Sequence, residues 1–251
     1  MQRSLFSPWG IGFLCAVAIG WHLYALAANS PAVPGPGAVV LSLIENTPDI
    51  FREVQATLRR AAMAFFFMVI FLVPLGIVLG RIRWLGDLFE PIIQVFMTIP
   101  GLAIAPLIML FFGTGDWAKI AVVFYASGPN VLVNTFGGVR AAHPMLERVG
   151  RSLRLSRAEI MAFIDLPAAF PMIVTGMRLA MSGSLLTSIT TEMILSTDGI
   201  GTFVRRSQDS FDIASGLAGI LVISLIGLLL NESLRKIEKS LLFWHFREQQ
   251  G

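Results

Sequence analysis

The sequence contains one cysteine, Cys15, so neither a disulfide framework nor a thiolate metal site can form within a single chain. Histidine is nearly as scarce, occurring at positions 22, 143 and 245 only. None of the three falls beside Ser184 in any simple helical topology, so no base is available to activate a serine and no catalytic constellation or metal site is expected. There is no G-x-x-x-x-G-K-[ST] stretch, which excludes a phosphate-cradling loop of the chain's own. Segments of about ten residues that alternate apolar and polar side chains, as a membrane barrel needs, are missing. Charge is sparse too, at 14% of 251 residues.

Apolar side chains are abundant: they make up 55% of the chain, with a mean hydropathy of +0.73. That is too apolar for a soluble domain of this length. Charge-free runs occupy 10–28, 61–80, 91–115, 120–139 and 213–231. Each approaches or exceeds the roughly 20 helical residues that cross a hydrocarbon core of about 30 Å. A sixth run, 171–195, carries Arg178 near its start and Glu192 near its end, as a span with charges at its two interfaces would. The expected architecture is an all-α membrane protein of one domain, 1–251, with six transmembrane helices near 10–28, 61–80, 91–115, 118–139, 171–195 and 213–235. The first run is read as a span rather than a removable signal segment, because of its length and because its loss would leave an odd number of spans.

An even number of spans puts both termini on one side. Segments on that side hold 13 of the 19 Lys and Arg residues, so both termini are expected in the cytoplasm. The net charge of +3 then reflects topology rather than affinity for nucleic acid.

Between the spans, Pro31, Pro34, Gly35, Pro36 and Gly37 predict an extended outer segment. Leu41, Ile44, Ile50, Phe51, Val54 and Leu58 then predict short helices lying along the interface. The stretch GRIRWLGDLFEP, from Gly80, reads as a short basic loop. Ser196 to Asp212 reads as an outer loop with Gly199 and Gly201 as hinge candidates. The longest basic-side loop, 140–169, sets Arg148, Arg151 and Arg154 three residues apart on one helical face. After them AEIMAFIDLP reads as a second short helix, with Ile160, Phe163 and Ile164 as an apolar patch and Pro167 as its end.

Polar residues inside the spans are candidates for a translocation pathway. Ser184, Thr187, Ser188, Thr191 and Glu192 follow i, i+3, i+4, i+7, i+8 and share one face. Such a face avoids lipid, so it looks toward another helix, the axis of a dimer or water. Glu192, near the outer end, is better suited to supporting the adjacent loop than to lining a path. Thr98 and Pro100, with Pro106, mark a kink or a cavity-lining break in the third span. Asn130 and Asn134, one turn apart, either line the same cavity or bond helix to helix. Gly76 and Gly80 form a small-xxx-small packing pair.

The stretch RVGRSLRLSRAEIMAFIDLPAAFPMIVTGMRLA resembles the cytoplasmic signature loop of ABC importer permeases, E-A-A, three residues, G, nine residues, I-x-L-P. Ile164, Leu166 and Pro167 match its second half. Arg148, Val149 and Gly150 stand at the E-A-A positions and Arg154 at the glycine. VPGPGAVV, TLRRAAMAF, FEPIIQVFMTIPGLAIAPLIMLFFGTG, TEMILSTDGIGTFV and LIGLLLNESLRKIEKSLLFW resemble, in order, stretches of the nitrate, sulfonate and taurine branch.

The resemblance implies the type I (MetI-like) permease fold in a bacterial inner membrane. It implies a homodimer, two cytoplasmic ATPase subunits that bind the ATP and Mg, and a periplasmic or lipid-anchored binding protein. This chain would then move a small polar or anionic solute by alternating access, without cofactors or catalysis of its own. A coupling helix would contact the ATPase through Arg148, Arg151, Ser152, Arg154, Ser156, Glu159, Ile164, Leu166 and Pro167. Because arginine disfavours the positive φ that glycine allows, the segment is expected to be straighter at Arg154 or to bend elsewhere. The alternative is a six-helix gradient-driven carrier or channel.

Overall fold

A computed structural model describes residues 8–28, 30, 32–141 and 144–242. Arg3, His143, His245 and Arg247 therefore lie outside the described residues. The chain folds as helices α1 (Pro8–Ala28), α2 (Pro36–Glu45), α3 (Thr47–Arg81), α4 (Arg83–Thr98), α5 (Gly101–Phe112) and α6 (Asp116–Arg140). They are followed by α7 (Pro144–Ser152), α8 (Arg157–Ile160), a wide turn over Met161–Asp165, α9 (Leu166–Leu195), α10 (Ile200–Asp209) and α11 (Ile213–Leu241).

Helix α3, the continuous run from α8 through α9, α6 and α11 are each long and apolar enough to cross a membrane, and the bent pair α4–α5 makes a fifth if taken as one span. Helix α1 adds a further apolar helix of 21 residues.

The core lies where α3, α6 and α9 meet, around Ala64, Met68, Ile120, Val123, Val131 and Ala180. Small residues bring these backbones together. A Cβ on Gly76 would sit 2.7 Å from the Cβ of Thr135, and one on Gly80 would sit 2.6 Å from that of Val139. One on Gly176 would meet Asn134 at 2.6 Å. Lipid tails offer helices no hydrophobic drive to associate, so close van der Waals contact of this kind has to supply it. Large apolar side chains such as Phe66, Phe71, Leu110 and Leu229 face outward.

Four boundaries depart from the expectations. Residues 47–60 do not form a separate interfacial helix: α3 runs unbroken for 35 residues from its first turn, where Pro48 is tolerated because its missing N–H would be unpaired anyway. Only α2 remains separate. The basic loop after Gly80 shrinks to Ile82, with α4 starting at Arg83. Arg140 anchors α4 by ion pairs to Asp87 and Glu90.

The third apolar run is not one span either, since α4 and α5 meet at 97°. Ile99 is extended ahead of Pro100, as a residue before proline prefers, and proline has no N–H to continue the ladder. Tyr125 Oη of α6 donates to the Phe96 carbonyl at 2.9 Å, near the end of α4 where carbonyls lose their helical partners. A Cβ on Gly101 would lie 2.4 Å from that of Ala126, so only glycine lets α5 start against α6.

Finally, Pro167 does not end a helix. The Leu166 N–H bonds back five residues to the Met161 carbonyl, widening the turn there, and Pro167 falls in the first turn of α9. That wide turn gives the proline ring room and lets the helix continue for 39 residues, 157–195.

Candidate functional site

Helix α3 sets the scale of the molecule. Arg60 and Arg81 bracket its apolar stretch and are about 32 Å apart at 1.5 Å per residue, close to the thickness of a hydrocarbon core. Each meets a carboxylate of the α8–α9 run: Arg81 pairs with buried Asp165, and Arg60 with fully buried Glu192 at 2.9 Å. The two longest helical runs are thus tied together at both ends.

Around Arg60 the pairing is a network. Its guanidinium, 1% exposed, also bonds Asp116 at 2.8 Å and Asp198. Lys119 Nζ reaches Asp198 at 2.9 Å. Glu192 accepts from Thr57 at 2.7 Å and from the Gly201 N–H at 3.2 Å. Burial alone would raise the Asp198 carboxyl, but hydrogen bonds from Lys119 and Arg60 outweigh it and hold the group well below the ordinary carboxylate range.

Gly199 and Gly201 are close-approach positions rather than hinges. A Cβ on Gly199, whose φ is +105°, would lie 2.2 Å from the Glu192 carboxyl carbon, and one on Gly201 would lie 2.2 Å from the Ile189 carbonyl. Glu192 touches this loop through the Gly201 N–H. Sequence reasoning missed Arg60 as the partner of Glu192, and Asp116, Lys119 and Asp198 as the rest of the network, since only the fold brings them together.

The hydroxyl stripe of α9 is divided by packing. Ser184, Ser188 and Thr191 are buried inside the subunit, and Ser184 Oγ donates to the Ala180 carbonyl of its own helix at 2.7 Å. Thr187 is half-buried. The three buried hydroxyls share one side of α9 with Leu185 and Ile189, whereas exposed Leu186, Thr190 and Ile194 mark the other side.

Pro100 and Asn130, by contrast, do come together. A cleft of about 150 Å³ at the α4–α5 break is lined by Phe96, Met97, Pro100, Tyr125, Pro129 and Asn130, among others. Thr98 is exposed beside it and donates to the Val95 carbonyl at 2.7 Å. Asn134 instead donates to the Asn130 carbonyl at 2.7 Å and packs against Gly176.

At the Arg81 end, α7 stops in a tight reversal. The Leu155 N–H bonds the Gly150 carbonyl and the Arg154 N–H bonds the Arg151 carbonyl, both at 3.0 Å. This crossed pair is the Schellman arrangement, which requires a left-handed residue at the position of Arg154. Arg154 adopts it, with φ of +59°. The expectation of a straighter segment is therefore corrected: two backbone hydrogen bonds outweigh a strain of about 1 kcal/mol.

Ser156 then caps α8 in a reciprocal box with Glu159, whose carboxyl is lowered by the Ser156 hydroxyl and N–H. A Cβ on Gly150 would meet Ile164 Cδ1 at 2.8 Å, so Ile164 seats directly under α7. Arg148, Arg151, Ser152, Arg154, Glu159, Leu166 and Pro167 are exposed around this turn.

The chain is similar to known proteins. Residues 72–242 match the model of the family described as binding-protein-dependent transport system inner membrane component. The taurine transport system permease protein TauC of Escherichia coli (strain K12) is 31% identical over 244 residues, covering 94% of this chain and 89% of its own. The nitrate import permease protein NrtB of Leptolyngbya laminosa is 32% identical over 246 residues, covering 92% and 85%. In inward-facing structures of the MetNI methionine ABC transporter, a chain superposes with a TM-score of 0.68 at 17% identity, covering 77% of this chain and 96% of its own. The chain belongs to the binding-protein-dependent transport system inner membrane component family, the permeases of ABC importers.

Proposed function

We propose that this permease is the membrane-spanning half of an ATP-driven importer for a small polar or anionic solute of the taurine, sulfonate or nitrate kind. Its relatives carry taurine and nitrate in their names, and they align over most of this chain. Two copies pair across the membrane with six helices each and both termini in the cytoplasm. Two ATPase subunits bind the ATP and Mg, and a binding protein delivers solute at the α10 end.

The observation that carries this reading is the α7–α8 turn: a rigid, arginine-rich protrusion seated on the base of α9 through Ile164 and Gly150. Movement imposed on that turn passes into the 39-residue run 157–195 and from there to its far end. The solute crosses beside the α4–α5 break, where Pro100 and Asn130 share a cleft and Phe96 and Tyr125 form its wall. Backbone that leaves the helical ladder is tolerated at membrane depth where it lines such a cavity.

Reconstitution tests the proposal. Proteoliposomes holding the permease with its ATPase should take up solute from the loaded binding protein only when ATP is present. Uptake driven by an ion gradient with no ATPase in the membrane would overturn it in favour of a gradient-driven carrier.

A further inference from the structure

The cleft at the α4–α5 break does not end at Tyr125. Phe96, Tyr125 and Pro129 also form one wall of a second cleft of about 200 Å³, bounded elsewhere by Leu72, Ile93 and Leu132 among others. Leu72 lies near the middle of the stretch of α3 between Arg60 and Arg81, which puts this second cleft at membrane depth.

The two clefts differ in what they offer a solute. The first has Asn130, whose amide carries a second N–H beyond the one given to the Ser127 carbonyl at 3.3 Å. The second presents apolar and aromatic surface. Its one hydroxyl, on Tyr125, is turned to the Phe96 carbonyl, and the two rings meet edge to face with centroids 6.3 Å apart. Among the described residues lining either cleft, none is Lys, Arg, Asp or Glu.

A small inorganic anion entering such a place loses hydration and meets no cation in return, which is costly at low dielectric. A solute with an apolar body is favoured by burial there, and ligand sites combine apolar walls with a few orienting polar groups in just this way. We infer that the cargo of this permease is an organic solute with an apolar or aromatic body and a polar head, the body seated beside Leu72, Ile93 and Phe124 and the head at Asn130, and that a bare inorganic anion is excluded. This rests on the path proposed above beside the α4–α5 break and adds the class of solute which that path selects. The second cleft is assigned to the solute rather than to a lipid tail because it shares Phe96, Tyr125 and Pro129 with the first.

The test uses the full-length permease assembled with its ATPase in nanodiscs, without the binding protein, so that the selectivity measured is that of the membrane path. Calorimetric titration with methanesulfonate, propanesulfonate and butanesulfonate should show affinity rising about fourfold per methylene. Benzenesulfonate should bind as well, and nitrate should not displace butanesulfonate. Ile93→Trp, which fills the apolar cleft, should flatten the series, whereas Ile93→Leu, of similar volume, should keep it. A wild-type elution profile and thermal midpoint confirm that each variant is folded.

Nitrate binding as tightly as butanesulfonate, or a slope that Ile93→Trp leaves unchanged, would overturn the inference. So would a lipid that co-purifies with the wild type and is lost from Ile93→Trp while the series is flat, since the cleft would then belong to the membrane. The underlying path is tested apart, by uptake into proteoliposomes from the loaded binding protein. If Asn130→Leu slows uptake while chain length makes no difference to binding, the path stands and the apolar body is refuted. If neither Asn130→Leu nor Ile93→Trp alters uptake, the path lies elsewhere and both readings fall.

Discussion

Among the described residues, Arg154 and Phe211 are the non-glycine residues with positive φ, and both occupy the same structural position. Each closes a helix by crossed backbone bonds: at Phe211, the Asp212 N–H meets the Ser207 carbonyl at 2.9 Å while the Phe211 N–H meets the Gln208 carbonyl at 3.1 Å. The motif requires the left-handed backbone whatever the side chain, so the cost falls on the residue that happens to be there. Arg154→Gly should therefore raise the thermal midpoint of the detergent-solubilised permease, by about 1 kcal/mol of stability. A lower midpoint would refute the strain account. Gly199 is the opposite case. Gly199→Ala should leave little folded protein in the membrane, since the added methyl overlaps the Glu192 carboxylate at a φ that alanine disfavours. Wild-type yield and elution profile would show that the loop can yield.

Elements meet through these residues, and their joints differ in kind. The α4–α5 joint is held by Pro100, by Gly101 against Ala126 and by the Tyr125 hydroxyl on the Phe96 carbonyl. Tyr125→Phe should cost about 1 kcal/mol and slow solute uptake without weakening ATPase binding. Unchanged uptake would remove this cleft from the pathway. The joint at the α10 end is ionic by comparison, with Arg60 and Glu192 buried at its centre. Glu192→Ala leaves the buried Arg60 guanidinium short of a carboxylate and should destabilise the permease by about 3–5 kcal/mol, read as a drop in thermal midpoint. Glu192→Gln, which keeps one acceptor oxygen, should cost less. Equal effects would mean that shape rather than charge is what Arg60 requires.

At the scale of the whole molecule, acid sensitivity follows from the direction of the Asp198 shift. A carboxyl held below its unfolded value adds stability that is complete above about pH 5 and is lost only as pH falls below the ordinary value near 3.9 toward the depressed one. Between pH 7 and 5 the thermal midpoint should hold steady for this group, and below about pH 4 it should fall more for the wild type than for Asp198→Asn. Equal falls would mean that Lys119 and Arg60 do not hold that proton off. The membrane class, the apolar runs and the family signature were all legible in the sequence, because transfer of a helix into lipid depends on the composition of that helix alone. Ile164, Leu166 and Pro167 and the arginines before them could be placed around one turn for a similar reason: they are neighbours along the chain. What faces each polar side chain was decided only by tertiary structure. The hydroxyls of Ser184, Ser188 and Thr191 have the periodicity of a pathway but are enclosed by packing within the subunit. Glu192 finds Arg60, 132 residues away, and Arg154 takes the conformation its side chain disfavours because the backbone bonds around it favour that conformation more. Periodicity tells which residues share a face; burial, charge pairing and backbone strain depend on what the rest of the chain brings to that face.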